Sequence, residues 1–326
     1  MTDTPTVPTT PLSSGGKTAT PSNQRIAVPD RYARLGVANG FNPTPTNGMN
    51  VILEALPGHG KTTLLMSRPE TIVMDFDRAC GNVIAPRAAY VPLSNYTDYE
   101  AVKTALLEDA AAGHPPFKCV AFDTADTFLQ VLDRHMLVAL NASRTSNKLD
   151  SIYEFGLQGA GYIKMGNALI RELIDYSSAG YAWTLACHMR VRTETIGETK
   201  VVERRCSMAP SIMEMLVKHA EVKARLYRSM EDEPVKETRT ISLPGGKTKT
   251  IKADTGKTEL RTRHWLCLMP TKVEEDDDTK HRLFGLQGVL EIPLTDGWNE
   301  FEKAYKLAVA EALKLDSENA RQSAPA

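Results

Sequence analysis

Ala55-Leu56-Pro57-Gly58-His59-Gly60-Lys61-Thr62-Thr63 is the stretch that decides how this 326-residue chain is read. It fits the phosphate-loop pattern G-x-x-x-x-G-K-[ST], with Ala in place of the first Gly. Small residues and glycines let backbone N–H groups turn inward around an anion. The Lys61 ammonium would reach the outer phosphates of a nucleotide, and the Thr62 hydroxyl would ligate Mg²⁺. Pro57, Gly58, His59, Gly60, Lys61, Thr62 and Thr63 are therefore the expected nucleotide-binding set. The chain also carries its own controls. Gly-Lys-Thr occurs four times, starting at Gly16, Gly60, Gly246 and Gly256. Five positions earlier stand Pro11, Ala55, Ile241 and Ile251, so only the second has a small residue there. Only the second lies between an apolar run (49–55) and a helical one. The other three read as flexible turns.

Outward from this loop, short apolar runs alternate with helical patterns. That order predicts an α/β protein with a mainly parallel sheet flanked by helices. Residues 71–74, 118–122 and 181–187 read as strands, and 99–112, 125–140 and 158–176 as helices. From Met189 the character changes. Residues 221–228, 237–241, 248–252 and 264–269 read as strands, with Pro244-Gly245-Gly246 as a turn. Residues 298–313 read as an amphipathic closing helix. The expected organisation is a disordered tail at 1–24, a core at 25–190 and a basic β-rich insertion at 191–263. Residues 264–316 would complete the core, and 317–326 would form a second tail.

Three polar residues at strand ends are candidates for chemistry. Asp123 closes the 118–122 strand and would hold Mg²⁺ through water. It also precedes a helix, so it can serve as an N-cap as well. Asp75 and Asp77 end the 71–74 strand, and alternation would turn both to one side. Asp77 is placed to orient or deprotonate an attacking water, or else to accept backbone hydrogen bonds in a turn. His188 follows the 181–187 strand, either as a sensor of the terminal phosphate or as a structural histidine.

The order of loop, "MDFD" strand, "VAFDT" strand and a strand ending in His resembles the RecA-like phage nucleotide-binding ATPases. That group is associated with phage recombination and single-strand annealing, and the likeness spans about residues 45–300. It implies a RecA-like P-loop NTPase core using ATP and Mg²⁺, with Mg-assisted attack of water on the γ-phosphate. Lys61, Asp77, Asp123 and His188 are the expected catalytic residues, and by the resemblance Asp77 matches the water-activating position, shorter than the usual Glu. Lys280 and Arg282 would act as fingers on a neighbour's γ-phosphate, in a homo-oligomeric ring or filament. They also read as a solvated basic pair balancing the acidic run 274–278. The implied partners are single-stranded DNA and other recombination or replication proteins.

Charge refines the DNA expectation. There are 39 Lys+Arg and 40 Asp+Glu, a net charge of -1, which excludes a protein that coats duplex DNA by bulk charge. Residues 186–263 hold 17 Lys+Arg against 11 Asp+Glu, which leaves the remainder of the chain at -7. Arg190, Arg192, Arg204, Arg205, Lys223 and Arg225 are among these, and a basic groove there would track phosphates without reading sequence. Tyr227 and Trp265 are stacking candidates or core.

Five scattered Cys without a CxxC pair disfavour zinc and disulfides and suit a reducing cytosol. No signal-like start or 20-residue apolar run is seen. The expectation is a cytoplasmic protein without a membrane partner, in the host cytoplasm if phage-encoded. Two other classes fit the loop. One is a small-molecule kinase with residues 143–151 as a short lid. The other is a nucleotide-gated scaffold with little turnover.

Overall fold

Residues 51–55 are buried at every position, the signature of a strand covered on both faces. In the computed structural model this strand lies at the middle of a nine-stranded sheet. The structure describes residues 29–34, 42–142, 144–156, 159–196, 199–243, 247–268, 286 and 288–322. The chain forms two compact units. Pro43–Ala310 carries the sheet, and Met1–Asn42 groups with Glu311–Ala326.

The helices are α1 (Asp30–Ala33), α2 (Lys61–Met66), α3 (Tyr96–Ala111), α4 (Ala125–Ala142), α5 (Ala160–Ser178), α6 (Pro210–His219) and α7 (Gly297–Gln322). The strands are β1 (Val51–Ala55), β2 (Thr71–Asp75), β3 (Ala89–Pro92), β4 (Cys119–Asp123), β5 (Ala182–Ile196), β6 (Thr199–Cys206), β7 (Val222–Leu243), β8 (Lys247–Cys267) and β9 (Val289–Glu291). Their order across the sheet is β3-β2-β4-β5-β1-β7-β8-β9, with β6 paired to β5. The six strands from β3 to β7 in this order run parallel, while β6 pairs antiparallel with β5, β8 with β7 and β9 with β8. The fold is thus the mixed α/β, mainly parallel sheet flanked by helices that the alternation predicts.

Packing follows the periodicities. On α5, Met165, Leu169, Leu173 and Tyr176 recur at helical spacing and are all buried. They join Phe128 and Leu132 of α4, Ile212 and Leu216 of α6, and Ile52, Phe122 and Trp183 of the sheet in one core. Burying each large side chain stabilises by roughly 1.5–3 kcal/mol. Gly166 leaves Met215 of α6 no competing Cβ, which lets the two helices approach. Beneath α2 a smaller core joins Leu65, Met66, Val73, Ala121 and Ala186. Arg68 is also buried there, donating to Thr184 Oγ1, Thr46 O (2.9 Å) and Met49 O (3.3 Å) and stacking 4.2 Å from the Trp298 ring.

Several elements differ from expectation. β5 does not stop before His188 but continues to Ile196, because β6 pairs with its outer half. The strands expected at 221–228 and 237–241 are one strand, β7, and those at 248–252 and 264–269 merge into β8. The region 191–263 also contains a helix, α6, with Pro210 in its first turn. β3 is an additional edge strand. α7 runs to Gln322, past the start of the expected tail at Ser317, since Glu318, Ala320, Arg321 and Gln322 are helix formers. Residues 1–24 and the turn 244–246 lie outside the described residues. Among the described residues no helix is long and apolar enough to cross a membrane, and the five cysteines form no disulfide.

Candidate nucleotide site

The sheet order puts β5 between β1 and β4, and the registers align Ala55 with His188 and Asp123 with Ala186. The carboxyl ends of β1, β2, β4 and the inner half of β5 therefore share one edge, where parallel sheets place ligands. Lys61, Thr62, Asp123, Asp77 and His188 meet there.

The loop adopts left-handed backbone at Gly58 (φ 77°) and Gly60 (φ 91°), which side chains rarely allow. Lys61 is buried, and its Nζ donates to Ala55 O at 3.0 Å and Leu56 O at 3.4 Å. Burial lowers its pKa, against the opposing pull of Asp123 and Asp126. His59 turns away to Leu226 O, 3.4 Å from its Nδ1.

Thr62 Oγ1 donates to Asp123 Oδ2 at 2.6 Å. The other oxygen, Asp123 Oδ1, is buried with no hydrogen-bond partner among the described residues. Burial, with Asp77 and Asp75 adding to it, pushes the Asp123 carboxyl up to about 6. A buried carboxylate with an orphan oxygen beside a threonine hydroxyl is a donor set that fits Mg²⁺. Asp75 and Cys80 offer atoms within 4.8 Å of one another and of Asp123. Asp75, however, spends its oxygens on the Ala79 and Cys80 N–H groups (3.0 and 3.1 Å). The Asp123–Thr124 peptide is cis.

β2 ends at Asp75, so strand alternation does not carry on to Asp77. The next two N–H groups, of Phe76 and Asp77, turn to Asp123 O (2.8 and 3.1 Å). Asp77 Oδ1 accepts from Thr127 at 2.5 Å and Thr124 at 3.4 Å, and its Oδ2 faces His188 Nε2 at 3.4 Å. The hydrogen bond from His188 holds the Asp77 carboxyl below its ordinary value.

His188 Nδ1 lies 3.2 Å from Lys61 Nζ. An ammonium only donates, so Nδ1 accepts and Nε2 carries the proton offered to Asp77. Its backbone is clamped as well. His188 N–H donates to Asp126 Oδ2 at 2.7 Å, and Ser207 Oγ bonds both Asp126 Oδ1 and His188 O. Sequence reasoning misses Asp126 and Ser207, since Asp126 reaches His188 from α4 across the β4–β5 pairing and Ser207 only once β6 has folded back on β5. Lys280 and Arg282 lie outside the described residues.

A strand–loop–helix cradle with Lys61, Thr62 and a buried strand-end Asp123 defines a P-loop NTPase. More particularly, the AAA domain family matches residues 47–263, and the chain belongs to that family. No curated protein matches it.

Proposed function

We propose that this protein binds ATP with Mg²⁺ and hydrolyses it, in a RecA-like manner, acting on single-stranded DNA in phage-type recombination or annealing. The observation that carries hydrolysis is the relay Lys61–His188–Asp77 beside the Thr62–Asp123 pair. Bound Mg²⁺ supplies charge neutralisation for the phosphates, and Thr62 and Asp123 would hold it. Lys61 exchanges the Ala55 and Leu56 carbonyls for phosphate oxygens. His188 then loses its partner and reports the change to Asp77. Asp77, with a lowered pKa, is a weak base and orients water rather than taking its proton.

The DNA reading draws support from a cavity of about 560 Å³ next to the relay. Arg190 and the paired Tyr153 and Tyr162 rings, 4.6 Å apart, line it together with Asp126 and Ser207. A guanidinium and aromatic rings lining one cavity, with the carboxylates Asp126 and Asp133, offer partners for a phosphate and its base, and Asp126 connects the cavity to the His188 backbone. Lys280 and Arg282 are proposed to act across a subunit boundary of a homo-oligomer.

The test is Mg²⁺-dependent ATPase activity with and without single-stranded DNA, over a range of protein concentrations. Stimulation by DNA and turnover per chain that rises with concentration are expected. Turnover indifferent to both would remove the DNA and assembly parts. A Lys280→Ala chain should lose turnover only under assembling conditions.

A further inference from the structure

Glu54 immediately precedes the phosphate loop and is fully buried. Strand alternation puts it on the same face as Ile52, opposite Ala55. The β1–β7 register places Lys223 beside Ile52 and Arg225 beside Glu54, so two buried cations share that face. Arg225 Nε donates to Glu54 Oε2 at 3.1 Å, and Lys223 Nζ lies 3.5 Å from Oε1. Oε1 nonetheless accepts no hydrogen bond among the described residues.

These three charged groups line a cavity of about 670 Å³ bounded by residues of β6 and α6. Five basic and two acidic side chains face it, Lys218 and Arg204 among the basic ones, and Met213 and Val217 form an apolar wall. The volume suits a small molecule. A buried carboxylate oxygen without a donor is costly, and a ligand can supply that donor.

We infer that this cavity binds a small organic anion that also carries a hydrogen-bond donor, of the class of hydroxylated phosphate esters or carboxylates. Its anionic group meets Arg225, Lys223 and Lys218. Its hydroxyl donates to Glu54 Oε1, and its carbon skeleton lies on Met213 and Val217. Neither Lys61 nor Asp123 lines the cavity, so the site is separate from the nucleotide site. Because Glu54 is joined to Ala55, whose carbonyl holds Lys61, occupancy also alters nucleotide affinity. This second half rests on the nucleotide-binding reading, and the first does not.

Binding is tested by thermal unfolding of the Lys61→Ala chain, which removes the phosphate-loop ammonium as a competitor for the probe. Glycerol 3-phosphate and citrate are the two probes. At tenfold saturation at least one should raise Tm by about 3 °C. A rise with the ester alone assigns a phosphate ligand, and one with citrate alone a carboxylate. The rise should vanish with Lys223→Met. It should vanish equally with the paired changes Arg204→Glu and Lys218→Glu at the mouth of the cavity, which spare the core. No rise with either probe, or an undiminished rise in the charge-reversed chain, overturns the site. Titration of the unmodified chain with ATP, with and without the active probe, should show at least a threefold change in affinity. An unchanged affinity overturns the coupling alone. Failure of ATP to bind at all would remove the nucleotide reading and leave the thermal result standing.

Discussion

Thr62 Oγ1 and Asp123 Oδ2 are 2.6 Å apart, although their residues come from separate elements, α2 and β4. The hydroxyl at present satisfies one carboxylate oxygen and leaves the other bare. Replacing it by Thr62→Val should raise the Mg²⁺ concentration needed for half-maximal turnover by about 10- to 100-fold. Binding of metal-free nucleotide should hold. A Mg²⁺ titration of ATPase activity checks this.

His188→Ala should leave ATP bound but reduce kcat by about 10²–10³-fold, the size of one lost preorganised contact. Asp77→Asn should act on the same step. Because His188 touches both Lys61 and Asp77, the double variant should cost less than the two single losses combined. Steady-state kinetics of the four chains decides it.

Lys61→Ala removes the ammonium from the end of that relay. ATP affinity should fall at least about tenfold and turnover by about 10²-fold or more. Equilibrium binding and single-turnover hydrolysis, measured separately, resolve the two losses.

Arg68→Ala should destabilise the fold by about 3 kcal/mol or more, because it strands Thr46 O and Met49 O in the interior, leaves Thr184 Oγ1 with Cys119 Sγ alone and removes the partner of the Trp298 ring. Urea unfolding reads the change as a lower midpoint.

His264 is buried, and that burial, with Arg228 and His59 adding to it, lowers its pKa. The folded state thus holds the ring neutral more strongly than the unfolded chain, whose value is near 6.5. Its stabilising contribution is full above pH 6.5 and fades as pH falls through the lower folded value. His264→Leu should flatten the fall of Tm between pH 7 and pH 5, as differential scanning across that range will show.

The parts of the site that are legible in the sequence are those whose chemistry demands a fixed residue at a fixed spacing. Lys61 and Thr62 follow from the loop, and Asp123 from an apolar run that ends in Asp. Asp75 and Asp77 are less legible, since strand alternation speaks only for Asp75, where the strand ends, and their different partners follow from the turn beyond it. Asp126 and Ser207 carry no local signal at all, since Asp126 is 62 residues from His188 and Ser207 is 19 from His188 and 81 from Asp126. Helix α6 hides among strands because its N-cap is Ala209, without the polar side chain that usually marks a helix start. The long β7–β8 ladder is hidden for the opposite reason. Residues 237–241 and 248–252 near its outer end read as strands, but its charged middle, 229–236 and 253–263, lacks the apolar runs by which strands are found, and only pairing joins the pieces.

β5 runs without interruption through Thr184, opposite Val51 of the loop strand, past His188 and into its ladder with β6. A strand has a period of two, so one inserted or deleted residue between 184 and 192 would turn every later side chain over. The imidazole would leave Lys61, or the β6 ladder would lose its register. Length in this segment is therefore a heritable constraint of its own, separate from the identity of any residue in it. Insertions can accumulate beyond Ile196, where the pairing with β6 ends, but not along the strand that leads there.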